Sequence, residues 1–284
     1  MKTILVPVNF TELSDHAIEN AIMIGKQLLE SKIIMLNVIQ PAHPASFAAS
    51  GDVTKMQGVT AEKYNVELMK KNQELIENKA AEYKSEFPEI YPYVRFNDKK
   101  ERLNEYVDEF HVDYVVTGNH EHDSSFAEIL FYNPTEKIIR KTDCPVITIK
   151  NEPNTTRIRD IAFAVDIAEE YYSGIEDVVR FAKTMNSQLH LLYIIDGKKV
   201  PTDSALGKLN SLAREYNIEN YTINTHNNAD VEEGILSFAG NKNCDMIALF
   251  SEGKGKLRKM IFGSTTDKVL RESRLPILIA KPGK

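Results

Sequence analysis

Short apolar runs alternate with amphipathic stretches along the whole chain. Residues 4–8 form a continuous β-rich run that stops at Asn9. Such a run is the pattern of a strand buried on both faces of a parallel sheet. Ala17, Ile18, Ala21, Ile22, Leu28 and Leu29 then recur at helical spacing. Residues 33–39 read as a second strand. Residues 61–85 read as a charged amphipathic helix with Leu68, Leu75, Ile76 and Tyr83 on its inner face. Strands are expected at 91–96, 114–117 and 146–149, separated by helices around Leu103, Tyr106, Val107 and Phe110 and over 136–141. Strands alternating with helices imply right-handed crossovers and a parallel sheet covered on both faces.

The same plan begins again at Arg157. Strands are expected at 161–165, 189–195, 221–225, 245–250 and 277–280. Helices are expected around 175–185, 205–216 and 231–239, with a last one from 267. The halves also match locally. The run from Asp113 to Gly118 parallels that from Asp245 to Phe250, and Thr135 to Arg140 parallels Thr266 to Arg271. Cys144-Pro145 and the strand behind it parallel Leu275-Pro276 and its strand. An internal duplication therefore organises the chain. It predicts two α/β domains, residues 1–150 and 157–284, joined by a polar linker with Pro153 inside it. The first half is longer, and its excess includes residues 41–60. That stretch is rich in Ala, Ser, Gly and Pro and reads as a loop or lid.

Composition narrows the function classes. A chain of 284 residues with 42% hydrophobic and 27% charged residues fits soluble globular domains. A net charge of -6 argues against general nucleic-acid binding, which needs a basic face, and against adsorption to an anionic membrane. Cys144 and Cys244 fit no metal or redox spacing and read as free thiols of a reducing compartment. No signal-peptide core and no run of membrane-spanning length is present, so a cytoplasmic location is expected.

In an open parallel sheet, ligands bind beyond the carboxyl ends of strands, where the strand order reverses. In the second half this points to Asp166, to Ile195 and Asp196, and to residues 250–255. Gly253 and Gly255 there lead to Gly263-Ser264-Thr265-Thr266-Asp267. Ser264 suits a helix cap, with Asp267 returning the bond as in a capping box. Gly263 lets a ligand approach the backbone closely. A helix start beside glycines and hydroxyls suits a phosphate. Lys254, Lys256, Arg258 and Lys259 add positive charge. On spacing alone, a capped helix behind a solvated basic loop is the commoner reading, and phosphate binding is the alternative. The first half keeps a cap, Asn133-Pro134-Thr135-Glu136. It has Tyr132 where the second half has Gly263, and Glu121 where it has Gly253. Those side chains would crowd and repel a phosphate, so the first half reads as a poor nucleotide site.

The opening block from Ile4 to Ala21 and the closing block from Phe262 to Ala280 resemble universal stress protein domains. The resemblance covers both halves. It implies a five-stranded parallel sheet in the order 3-2-1-4-5, with helices on both faces, in each. The family's nucleotide-binding branch carries the pattern Gly, two residues, Gly, nine residues, Gly and then Ser or Thr. Gly253, Gly263 and Ser264 match its last three elements, while Phe250 replaces the first glycine. Asp166 matches the family's Asp after the first strand, and Ile194 matches the apolar residue lining the base pocket. In the first half Gly118 matches the first glycine, but Asn9 replaces the Asp and Val38 stands for Ile194. The resemblance thus implies ATP or a related adenine nucleotide held by Asp166, Ile194, Gly253, Gly263, Ser264 and Thr265. Phe250 would narrow that pocket or stack on a base. The resemblance also implies pairing of the two domains near residues 146–149 and 277–280, and leaves room for homodimerisation and protein partners.

Other chemistry is sparser. His120, His122 and Asp123 form a loop that offers zinc ligands, although a solvated polar turn is the commoner meaning of such a cluster. His16 reads as a surface residue and His190 as structural, while His111 and His226 show no partner in sequence. No nucleophile elbow and no Walker-type loop is present, so nothing requires turnover. The expectation is a stress-response regulatory protein that binds nucleotide in its second domain. A nucleotide-free interaction module and a metal protein are the alternatives.

Overall fold

The computed structural model describes residues 1–28, 30–42, 61–96, 103–119, 142, 144–150, 153, 157–167, 174–197, 202–250 and 264–280. In the first half the strands are β1 (Lys2–Pro7), β2 (Ser31–Ile39), β3 (Ile90–Phe96), β4 (Tyr114–Gly118) and β5 (Val146–Ile149). Its helices are α1 (Glu12–Gln27), α2 (Ala61–Tyr83) and α3 (Leu103–Phe110). In the second half the strands are β6 (Asp160–Ala164), β7 (Gln188–Ile195), β8 (Tyr221–Asn227), β9 (Met246–Phe250) and β10 (Ile277–Ala280). Its helices are α4 (Ile175–Met185), α5 (Thr202–Glu215), α6 (Val231–Asn241) and α7 (Ser264–Glu272).

The ten strands form one sheet in the order β3-β2-β1-β4-β5-β10-β9-β6-β7-β8. Read inward from either outer edge, each half runs third, second, first, fourth, fifth. Pairing within each half is parallel. The halves meet where β5 and β10 pair antiparallel, with Ile277 opposite Thr148, Leu278 opposite Ile147 and Ile279 opposite Val146. This seam sets the carboxyl edge of the first half beside the amino edge of the second. At the outer edge, β3 carries Pro92, a residue that edge strands tolerate because it removes a donor.

The apolar runs of the sequence are continuous because the sheet is covered on both faces. Ile4 and Leu5 are both fully buried, one in each of the two core layers. On one face Ile18 and Ile24 of α1, Phe163 of β6 and Phe181 of α4 share a single cluster. On the other face, Leu5 and Val115 share a cluster with Phe238 of α6 and Val269 of α7. Both layers run through the seam. Helix starts follow local chemistry. Thr11 caps α1 by accepting from the Ser14 N–H, and Asp230 caps α6 by accepting from the Glu233 N–H at 2.9 Å. The Gln27 side chain fastens the halves directly. The Gln27 amide donates to the carbonyls of Ile158 at 2.9 Å and Met185 at 2.6 Å, and its oxygen accepts from the Ile158 N–H at 2.9 Å.

Differences from the sequence expectation sit at element ends. The last helix starts at Ser264, three residues before Asp267. Ser264 is therefore the helix's first residue rather than a cap preceding it. The expected helix over 136–141, most of the 41–60 segment and most of the 151–156 linker lie outside the described residues.

Candidate functional site

The strand order reverses between β6 and β9 in the second half. The chain leaves β6 for β7 on one side and returns to β9 on the other. A crevice outside the carboxyl ends of these two strands is where an open sheet of this kind holds a ligand. Four of the six residues expected there, Asp166, Ile194, Ser264 and Thr265, lie among the described residues. Asp166 follows β6 and is exposed, between the buried Val165 and Ile167. Ser264 and Thr265 open α7, whose first turn has backbone N–H groups without intrahelical acceptors. Gly253 and Gly263 lie outside the described residues.

Ile194 stands differently from the family expectation. It is 5% exposed and belongs to the core layer beneath α6. Its Cγ2 lies 2.9 Å from where a Cβ on Gly234 would stand, so the absence of a side chain at Gly234 is what lets α6 settle on it. Ile194 is thus a floor under α6 rather than an open wall. Phe250 also has a structural occupation. Its ring packs against Phe163 with centroids 5.1 Å apart and planes tilted by 60°. It faces the core layer that contains α4, the opposite side of the sheet from Ile194.

The start of α6 is fixed to α7. Lys268 of α7 donates to Asp230 Oδ2 at 2.5 Å. The Lys268 ammonium, with the Glu233 N–H, holds the Asp230 carboxyl well below the usual carboxylate range. The same contact raises the Lys268 ammonium above its ordinary value. Neither residue is singled out by spacing, because the contact joins two helices 38 residues apart in the chain. Gly234 is a glycine inside a helical pattern, which is a legible signal of close packing.

The first half departs at the equivalent places. The Asn9 side-chain oxygen accepts from the Thr11 hydroxyl at 2.7 Å, so it serves the turn before α1. Val38 is 39% exposed, whereas its counterpart Ile194 is buried. Gly118 keeps the family glycine for a packing reason. A Cβ there would stand 2.3 Å from Leu13 Cγ of α1.

His190 is buried, with Nε2 2.9 Å from Asp160 Oδ1 and Nδ1 2.7 Å from Thr222 Oγ1, a cross-strand polar network. His226 Nε2 lies 3.0 Å from Ser237 Oγ. His16 is half-buried rather than on the open surface, and its Nδ1 is buried without a hydrogen-bond partner. His120, His122 and Asp123 lie outside the described residues. Among the described residues, no group of three or more His, Cys, Asp or Glu side chains is placed to hold a metal ion. Cys144 and Cys244 are buried and form no disulfide. Burial, with Asp160 and Asp245 nearby, pushes the Cys244 thiol up to about 11, so it is a poor nucleophile at neutral pH. No described helix is long and apolar enough to cross a membrane.

Comparison with known proteins agrees with this architecture. The profile of the universal stress protein family matches residues 1–150 and again residues 157–281. Universal stress protein MJ0531 of Methanocaldococcus jannaschii is 21% identical over 149 residues, covering 44% of this chain and 84% of its own. Among solved structures, a universal stress protein from Archaeoglobus fulgidus DSM 4304 superposes with a TM-score of 0.71 at 19% identity. That match covers 99% of this chain and 97% of the other. The functionally unknown protein PA1789 from Pseudomonas aeruginosa PAO1 gives 0.63 at 14% identity, over 99% and 93% of the two chains. At these identities the superpositions speak for fold. With both halves matched and both sharing one strand order, the chain belongs to the universal stress protein family, in tandem form.

Proposed function

We propose that the protein is a cytoplasmic stress-response regulator that binds ATP or a related adenine nucleotide in its second domain, residues 157–284, with the first domain, residues 1–150, carrying no nucleotide. The observation that carries this reading is the strand-order reversal between β6 and β9. Asp166 follows β6 and the chain beyond β9 leads to α7, which supports a ligand at the carboxyl ends of these two strands. Phosphates would take the first turn of α7 together with Gly253, Gly263, Ser264 and Thr265. Asp166 would meet the ribose, and Ile194, covered by α6, would back the base pocket from within the core. Binding would select one arrangement of this edge and so shift a population of conformers or partners. Isothermal titration with ATP tests the reading directly. One site per chain is expected, and Gly263→Trp should abolish it. Unchanged affinity in that variant would remove the assigned site.

Two observations favour a second reading, a nucleotide-free interaction module. Ile194 is buried under α6, and Phe250 is engaged with Phe163. On this reading the freshly purified protein carries no nucleotide and its melting temperature is unmoved by ATP. A metal analysis finding zinc at one per chain would instead favour the loop with His120, His122 and Asp123.

A further inference from the structure

The end of α7 remote from the candidate nucleotide site is held by the other half of the molecule. Asn119 directly follows β4 and is 7% exposed. Its Nδ2 donates to the Leu270 carbonyl at 2.7 Å. Its backbone N–H donates to the Ile149 carbonyl at 2.7 Å, which ties it to the end of β5. Lys150, one residue further along that strand, donates its Nζ to the Arg271 carbonyl. The last carbonyls of a helix have no partner within it. In α7 the Val269 carbonyl accepts from the Ser273 N–H, whereas Leu270 and Arg271 are satisfied from the first half. The antiparallel seam makes this contact, because it sets the carboxyl edge of one half beside the amino edge of the other.

We infer that Asn119 is a positioning residue for the second-domain site: by fixing the last turn of α7, the first half sets where the first turn of α7 stands. The inference rests on the nucleotide reading above and extends it to the other domain. A nine-residue helix is about 13 Å long and internally hydrogen-bonded, so displacement of one end carries to the other. Val269 and Leu270 are 0% and 6% exposed, and Lys268 is bound to Asp230, so α7 has few other ways to settle. Asn119 stands one place past Gly118, where a nucleotide-binding half would begin its phosphate loop. In this chain that place has become an anchor for the neighbouring domain. The first half would therefore be needed for binding although it holds no nucleotide itself.

Titration with ATP and hydrogen exchange of α7 test this on the full chain with three variants. Asn119→Ala removes the donor without burying a charge, and Asn119→Asp keeps the shape while removing the donor. Gln27→Ala breaks the other interdomain clasp, on the opposite face of the sheet. Loss of one buried hydrogen bond should raise the Kd for ATP about fivefold in both Asn119 variants, with a similar gain in exchange rate at the amides of residues 268–271. Gln27→Ala should leave both quantities near wild type. Wild-type exchange of α7 in the Asn119 variants would overturn the inference. An equal effect from Gln27→Ala would overturn it too, by reducing it to general loosening of the interface. If the wild-type chain binds no ATP, the nucleotide reading fails separately, and the exchange comparison still decides whether Asn119 positions α7.

Discussion

Gly118 shows how one residue can keep a family's identity for a different reason. Its position matches the first glycine of a nucleotide motif, yet the space a side chain would need is occupied by Leu13. A Cβ at 2.3 Å from Leu13 Cγ cannot stand without displacing that side chain. Gly118→Ala should therefore cost about 1–3 kcal/mol by overpacking. In a Leu13→Ala background the same change should cost much less, and the difference measures the coupling. Urea denaturation of the four proteins in this cycle checks it, and equal costs in both backgrounds would show that Leu13 yields freely. The counterpart position in the second half is Phe250, whose ring lies against Phe163. The two halves have thus filled equivalent places by opposite means, a side chain from a helix in one and a side chain from the strand itself in the other.

Among the elements, α6 and α7 are joined by a contact that should make stability depend on acid. The folded-state carboxyl of Asp230 is held below its ordinary value of 3.8, so its contribution is present above that pH and fades as pH falls through the folded value. Asp230→Asn keeps a side chain that caps a helix equally well but removes the charge opposite Lys268. Melting curves between pH 7 and pH 2 should show wild type above the variant near neutrality and the gap closing below about pH 4. A gap that is constant across the range would rule the ion pair out as its source. Strand and helix identities were readable at this scale because burial on both faces makes the strands continuously apolar, as at Ile4 and Leu5. Their ends were less readable. The sequence pattern suggested a last helix from 267, three residues later than α7 starts, since propensity and capping signals leave boundaries loose.

For the whole molecule, the seam between the halves should decide how it melts. The core layers on both faces include residues from each half, and Gln27 fastens α1 to Ile158 and Met185 with three hydrogen bonds. Tyr114 of β4 also meets Phe181 of α4 edge to face, with ring centroids 5.3 Å apart. These contacts predict one cooperative thermal transition in calorimetry, with calorimetric and van't Hoff enthalpies in agreement. Two resolved transitions would mean that the halves unfold separately.

The sequence alone determined the duplication, the alternation of strands and helices, and the family, because each is written in local periodicity and in repeated short motifs. The places of Asp166 just after β6 and of Ser264 near the start of the last helix were legible for the same reason. Only the tertiary structure decided that Ile194 lies under Gly234, that Leu13 fills the space at Gly118, and that Asn119 and Lys150 hold the end of α7. Asn119 and Leu270 are 151 residues apart in the chain. They meet because β5 and β10 pair antiparallel, and no local pattern encodes a contact that exists only once the two halves have folded and joined.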